Sequence, residues 1–364
     1  MIYDISLYIF INFIICFFYF YRKRKYKMKM AIINKANFTV ECPLWPDKPG
    51  RCEVILGLQR SFSAISLIGC LFVILVIWLF RMYKYFVQRL ILFLSVSAAL
   101  QCVSFLIGDI YTDNFLCEFQ AFIMQYFGWA TLLWVVAMTV NLIMVLKGME
   151  SARYEKLFHL VCWGLPLLWA CLPFLHNSYG PAGVWCWIKR DATYLRFGTW
   201  YIPIFVTIFA MFVAYIYIVV SVFKRKERWT GTFNQEEEHD KQMLAREVKP
   251  LAAFPLIYLL SGIPTLIYRI DDAVHPHLLP SYPLLIFSVI MSPLVGAMNA
   301  IAFAVYGEIQ KLLTWGQIKS AFLSRFQSDS ARIIHNVEIG DNLPDNDYLQ
   351  VENEADDVDD GIEY

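Results

Sequence analysis

The sequence predicts an all-α membrane protein, a seven-transmembrane helix bundle with an amphipathic helix after the seventh span. Three observations carry this. Seven apolar stretches follow one another between Val54 and Tyr306, each near the ~20 residues that a helix needs to cross about 30 Å of hydrocarbon with every backbone amide bonded internally. Hydrophobic residues make up 58% of the chain and charged ones 17%, against roughly 45–50% apolar in a soluble domain. The Lys and Arg residues gather in alternate loops.

Apolar length and flanking charge place the spans at Val54–Phe80, Leu90–Ile107, Cys117–Leu146, Phe158–Leu175, Phe197–Val222, Pro250–Ile270 and Pro283–Tyr306. Basic residues resist translocation and collect on the cytoplasmic side. The loop after span one holds Arg81, Lys84 and Arg89, and the loop after span three holds Lys147, Arg153 and Lys156. The loop after span five holds Lys224, Arg225, Lys226, Arg228, Lys241, Arg246 and Lys249. These loops are expected inside, with the N-terminus outside, the C-terminus in the cytoplasm and the plasma membrane as location. The net charge of +0 conceals this asymmetry, and no nucleic-acid surface is expected.

Residues 1–53 are expected to form an extracellular segment. Asn37-Phe38-Thr39 is a glycosylation sequon, meaningful only in the secretory lumen. Cys42 and Cys52 there are placed to close a small loop, with two free thiols as the alternative. The first 30 residues conflict with this orientation. Ile2–Phe20 is an eighth apolar run, but its basic cluster Arg22, Lys23, Arg24, Lys25, Lys27 and Lys29 follows it, the reverse of a cleavable signal. A poor signal, an interfacial helix and a start at Met28 or Met30 each resolve the conflict, and the last is preferred.

Cys117 opens span three on its outer side and Cys186 lies in the loop between spans four and five. A disulfide between them would pin that loop across the mouth of the bundle, although connectivity is not fixed by sequence. Cys70, Cys102, Cys162 and Cys171 lie inside spans and read as small hydrophobes.

The loop Gly183-Val184-Trp185-Cys186-Trp187-Ile188, with Leu133-Trp134, Trp163-Gly164 and Tyr201-Ile202-Pro203, resembles the cyclic-AMP-receptor-like family of G-protein-coupled receptors. Phe254-Pro255-Leu256-Ile257, Tyr268-Arg269-Ile270-Asp271-Asp272 and Asn299-Ala300-Ile301-Ala302-Phe303 extend the likeness over roughly residues 54–326. The resemblance implies seven helices, an outer site for a small ligand and coupling to a heterotrimeric G protein, with a cyclic nucleotide as a conceivable ligand. The chain departs from rhodopsin-like receptors: Val145-Leu146-Lys147-Gly148-Met149-Glu150 stands where span three would close on Asp-Arg-Tyr. Asn299 lacks the proline and tyrosine of the rhodopsin-like span-seven motif.

Helical spacing from Cys117 puts Gln120, Ala121, Met124, Gln125 and Gly128 on one stripe beneath the clamped loop. Gln120, Met124, Gln125 and Trp187 are therefore ligand candidates. Buried amides in lipid need partners, so the glutamines either meet a ligand or bridge to a neighbouring helix. Lys189, Arg190 and Arg269 are placed to converge on an anionic group, the alternative being that Arg269 snorkels or pairs with Asp271 or Asp272. On the inner face Lys224, Arg225, Lys226, Arg246 and Lys249 are the candidates for G-protein coupling, against a simpler role at the anionic leaflet. Pro166, Pro203, Pro255, Pro264 and Pro293 fall within spans, where each removes a backbone bond.

Ile309, Leu312, Leu313, Trp315, Ile318 and Phe322 share one helical face, which reads as a helix over 307–326 lying on the inner leaflet. Residues 327–364 form an acidic tail too poor in apolar residues to bury a core. Other classes fit less well. Leu284–Tyr306 contains no lysine for a retinal Schiff base. A zinc hydrolase needs clustered His and carboxylates, and His159 alone falls in a span. A secondary transporter, the main alternative, would show internal repeats or interrupted helices. No enzymatic activity, cofactor or metal is expected.

Overall fold

The structure is a computed structural model that describes Trp45, Lys48 and residues 50–107, 115–228, 248, 251–274 and 281–326. Seven of its helices are long and apolar enough to cross a membrane. They are α1 (Gly50–Leu79), α2 (Phe86–Leu106), α3 (Phe115–Leu146), α4 (Ser151–Leu175), α5 (Thr193 onward, through Ile202–Arg228), α6 (Ala253–Val274) and α7 (Tyr282–Val305). The first and fifth begin several residues before the apolar runs do, because their first turns carry Arg51, Glu53 and Arg196, which hydropathy assigns to loops.

Helix α3 is the hub. It packs on α2, α4, α5, α6 and a two-stranded hairpin, while α1 closes the ring against α2 and α7. The hairpin joins α4 to α5, with β1 (Tyr179–Pro181) antiparallel to β2 (Cys186–Ile188) and Tyr179 opposite Ile188. Cys186 is disulfide-bonded to Cys117 at the first turn of α3. Tyr179 is buried and donates its hydroxyl to the Ala170 carbonyl of α4 (2.8 Å), and burial pushes its phenol well above the ordinary 10.0.

Membrane helices associate by close van der Waals approach, since lipid offers no hydrophobic drive between them. The α1–α7 seam shows how: Ser66, Gly69 and Cys70 face Gly296, Ala297 and Ala300. A Cβ added to Gly296 would collide with the side chains of Ser66 and Cys70, and one on Gly69 would sit 3.1 Å from Ala300 Cβ. One turn beyond Pro293, the Ala297 N–H donates to Ser66 Oγ (3.0 Å).

Prolines reshape α4 and α5. A proline ring displaces the carbonyl four residues earlier, and each helix answers with a π-helical turn just before it, Leu160–Gly164 ahead of Pro166 and Phe197–Tyr201 ahead of Pro203. Side chains of α3 take up the backbone so exposed. Tyr126 donates its hydroxyl to the Trp163 carbonyl (3.1 Å), and Trp129 donates Nε1–H to the Thr199 carbonyl (2.9 Å).

At the end away from the hairpin, α3 stops in a Schellman turn. Met149 N–H donates to the Met144 carbonyl and Gly148 N–H to Val145, with Gly148 at φ 70°, a left-handed conformation that glycine adopts without a Cβ clash. The Leu146 carbonyl left over by the helix end accepts from Arg225 of α5. Arg89 holds the Glu155 carboxylate with Nε and Nη2 (2.5 and 2.7 Å) and reaches the Tyr83 and Lys84 carbonyls with Nη1. It thereby ties the α1–α2 turn to α4. His159 packs edge-on against Phe93 and Trp134 in the same layer.

Two sequence expectations are corrected. Cys171, expected as a small hydrophobe, is disulfide-bonded, while Cys70, Cys102 and Cys162 are free; Cys52 is bonded, which agrees with a loop-closing role. The partners of Cys52 and Cys171 lie outside the described residues, as do Cys42 and Asn37. The segment after α7 is two helices, α8 (Gly307–Leu312) and α9 (Trp315–Phe326). The chain divides into compact units at Met1–Gln310 and Lys311–Tyr364, so α9 belongs to the second. The break falls at Thr314, a residue type favoured at helix starts, whose carbonyl accepts Ile318 N–H. Trp315 and Phe322 of α9 are exposed.

Two outcomes follow from this packing. Gly296→Leu forces α7 off α1, and overpacking of this kind costs about 1–3 kcal/mol or more. It lowers the thermal midpoint of the purified protein, and Gly57→Leu, which meets open space, serves as the matched control. Cys117→Ser, Cys186→Ser and the double variant lose the same stability, about 2–4 kcal/mol, measured as equal shifts in midpoint under non-reducing conditions.

Candidate functional site

The hairpin's second strand reaches the hub through two glutamines. Gln120 Oε1 accepts Cys186 N–H (3.3 Å) while its Nε2 donates to the Ser104 carbonyl of α2 (3.1 Å). Gln125 Oε1 accepts Trp187 Nε1–H (2.8 Å) while its Nε2 donates to the Thr199 carbonyl (3.3 Å). Both amides are buried and both bridge α3 to a neighbouring element.

Trp187 lies between two guanidinium groups. Arg196 sits 5.1 Å and Arg269 4.9 Å from its ring centroid, distances at which the negative face of an indole attracts a cation. Arg196 is buried and spends Nε and Nη2 on the Ile188 carbonyl (2.9 and 2.6 Å). Arg269 also lies 5.1 Å from the ring of Tyr268 and 5.8 Å from that of Tyr201.

Arg269 borders two spaces. The smaller, about 20 Å³, lies among Trp185, Trp187, Arg190, Arg196, Arg269 and Leu285. The larger, about 70 Å³, runs between α2, α3, α5, α6 and α7. Its polar lining is Gln101, Thr131, Tyr258, Ser261, Thr265, Arg269 and Ser292, and Phe105, Trp200, Phe205 and Ile208 are among its apolar walls. This is the composition of a small-molecule site, mostly apolar with a few convergent polar groups. At this volume it holds several waters, so a drug-sized ligand must widen it. One wall is Trp200, on the π-helical turn of α5. It lies so close to Gly128 that an added Cβ would be 2.9 Å from its ring, leaving no room for any larger residue there.

Of the sequence candidates, Arg269 lines both spaces and Trp187 and Arg190 the smaller. Gln120, Met124, Gln125 and Lys189 line neither; they lie in the layer around the hairpin. Lys224 is exposed and Arg225 caps α3, while the side chain of Lys226 and residues Arg246 and Lys249 lie outside the described set. Sequence reasoning missed Arg196, Trp200 and Thr131. The last was within reach, because Met124, Gly128 and Thr131 continue the i, i+4, i+7 stripe one turn deeper.

The apolar cap over this layer joins Trp45, Val184, Tyr268, Leu285 and Val289, with Trp185 packed against it. Arg51 at the first turn of α1 stacks over Tyr282 at 4.5 Å. The hairpin and the tips of α1, α6 and α7 are thus held together at one end of the bundle.

Comparison with known proteins agrees with this arrangement. A family described as slime mold cyclic AMP receptor matches residues 53–347. Cyclic AMP receptor-like protein A of Dictyostelium discoideum is 28% identical over 67% of this chain and 62% of its own length. G-protein coupled receptor 1 of Arabidopsis thaliana is 24% identical over 72% of this chain and 82% of its own length. Cyclic AMP receptor 1 of Dictyostelium discoideum is 26% identical over 61% of this chain and 56% of its own length. The chain thus spans about three fifths of the two slime-mould relatives. The match covers all seven spans, the hairpin and both cavities, and the chain belongs to the slime mold cyclic AMP receptor family.

Proposed function

We propose that this multi-pass membrane protein of G-protein-coupled-receptor type binds a small anionic ligand, cyclic-nucleotide-like in character, from outside the cell and activates a heterotrimeric G protein. The observation that supports this best is the cavity bordered by Arg269 directly beneath the pinned hairpin. A phosphate or carboxylate placed there meets a planar guanidinium suited to bidentate hydrogen bonding. The names of the slime-mould relatives point to the same ligand chemistry.

In this reading the hairpin end faces outside and the Arg89–Glu155 end faces the cytoplasm at the plasma membrane, an orientation that the distribution of Lys and Arg over the loops supports. The segment 1–53 is extracellular, 54–306 is the receptor domain, 307–326 lies on the inner leaflet and 327–364 is the cytoplasmic tail. Asn37 carries the glycan. Arg190 and Lys189 draw the anion toward the mouth, and Gln120, Met124, Gln125 and Trp187 shape the layer through which it passes.

Signalling requires that ligand and transducer favour the same packing of the helices. An anion that draws Arg269 off Trp187 weakens the hold of that ring on Gln125, and Gln125 holds the Thr199 carbonyl in the widened turn of α5. The far end of α5 carries Lys224, Arg225 and Lys226, and the Arg225 contact with Leu146 links it to α3. Together with Arg246 and Lys249 these cations form the G-protein surface.

Reconstituted full-length chain tests the proposal. Cyclic AMP or a related polar anion accelerates guanine-nucleotide exchange on at least one heterotrimer of a panel, and solute flux without exchange would overturn the receptor reading. Arg269→Gln raises the half-maximal concentration at least tenfold, since a charge-assisted contact contributes about 1.5–3 kcal/mol. Protease access places Asn37 and the C-terminal tail on opposite sides of the membrane.

A further inference from the structure

Several hydroxyls of the membrane-spanning helices bond their own backbone; among the described residues Thr131, like Ser63, has no such partner, and of these two it is Thr131 that lines the larger cavity. Thr139, Thr199 and Thr207 each donate Oγ1–H to the carbonyl four residues earlier, at 2.9, 2.7 and 2.7 Å. Ser95 and Ser261 do the same at 2.8 Å. This back-bond is the usual way for a helical hydroxyl to be satisfied where water is absent. Thr131 is 2% exposed, and among the described residues its Oγ1 has no hydrogen-bond partner. It lines the larger cavity.

Its depth separates it from the charged end. Thr131 lies six residues beyond Gln125, roughly 9 Å of helix rise, and Gln125 holds the indole on which Arg269 rests. Aromatic and aliphatic walls fill the interval, Phe105, Trp200, Phe205 and Ile208 among them. A ligand anchored by its anion at Arg269 therefore brings its other end to Thr131 across an apolar slot.

We infer that the Thr131 hydroxyl is the specificity-determining contact for the uncharged end of the ligand, hydrogen-bonding a polar edge group that distinguishes ligands sharing the same anion. This rests on the receptor reading above. A buried hydroxyl waiting for a partner discriminates strongly, because a ligand lacking the matching group leaves the hydroxyl desolvated and unbonded. The same hydroxyl adds nothing to the stability of the unliganded fold.

Cyclic AMP and cyclic GMP are the probes, since they share the cyclic phosphate and differ only in the base edge. Half-maximal concentrations for nucleotide exchange are measured for the wild-type chain, Thr131→Val and Thr131→Ser, together with thermal midpoints without nucleotide. The expected result is a wild-type preference that Thr131→Val moves about tenfold toward parity and Thr131→Ser restores, with the unliganded Thr131→Val midpoint at or above wild type. Equal wild-type response to both nucleotides, an unchanged ratio in Thr131→Val, or a lowered midpoint in that variant overturns this inference and leaves the receptor reading standing. No response of the wild type to either nucleotide removes the cyclic-nucleotide reading itself, and this inference with it.

Discussion

A single backbone carbonyl, that of Thr199, organises the functional half of this molecule. Pro203 cannot coexist with an ordinary hydrogen bond to the residue four places back, and lipid supplies no substitute partner. The helix widens over Phe197–Tyr201, and α3 supplies the missing donors from Trp129 and Gln125. Because Gln125 also accepts from Trp187, the constraint that satisfies one oxygen fixes hairpin, α3 and α5 in a common register.

The rest of the bundle supports that register from two sides. On one, Ser66, Gly69, Gly296 and Ala300 let α1 and α7 approach until their backbones nearly touch, which sets the far wall of the cavity through Gly296 and Pro293. On the other, α4 meets α3 through Tyr126 and the Trp163 carbonyl, and the free thiol of Cys162 donates to the Leu133 carbonyl (3.4 Å). Helix α5 is less enclosed than either, with Phe209, Val206 and Phe223 facing outward. Its position depends on a few polar contacts to α3, and such an element shifts at low cost when one of them is redirected.

Seven spans were legible from composition because lipid imposes length and apolarity on every crossing, and the Cys117–Cys186 bridge was expected from where the two cysteines fall relative to the spans. The helix starts were less legible: Gly50 and Thr193 open first turns that carry charged residues, which hydropathy leaves out of a span. At the site, Trp187, Arg190 and Arg269 announced themselves as aromatic and cationic groups near a fixed cysteine. Arg196 did not, because a charge in a loop reads as solvated, whereas here it is buried against Ile188 and Trp187. Thr131 lies on the stripe of Met124 and Gly128, but it is set between Ala130 and Leu132, a context in which threonine ordinarily bonds its own helix, so its unpartnered hydroxyl carried no signal in the sequence. Cys171 gave no signal either, since an apolar neighbourhood suits a free thiol and a bonded one equally.

The anchored hairpin bears on timing as well as geometry in the proposed receptor reading. Strand β2 is anchored to α3 by the Cys117 bridge, by Gln120 and by Gln125, so the arrival and departure of the proposed ligand would both wait on the same opening of this cover. Slow opening lengthens residence without requiring a tighter equilibrium constant. On the proposed receptor reading, a cell carrying such a protein would retain the imprint of a brief chemical pulse after the pulse itself has diffused away.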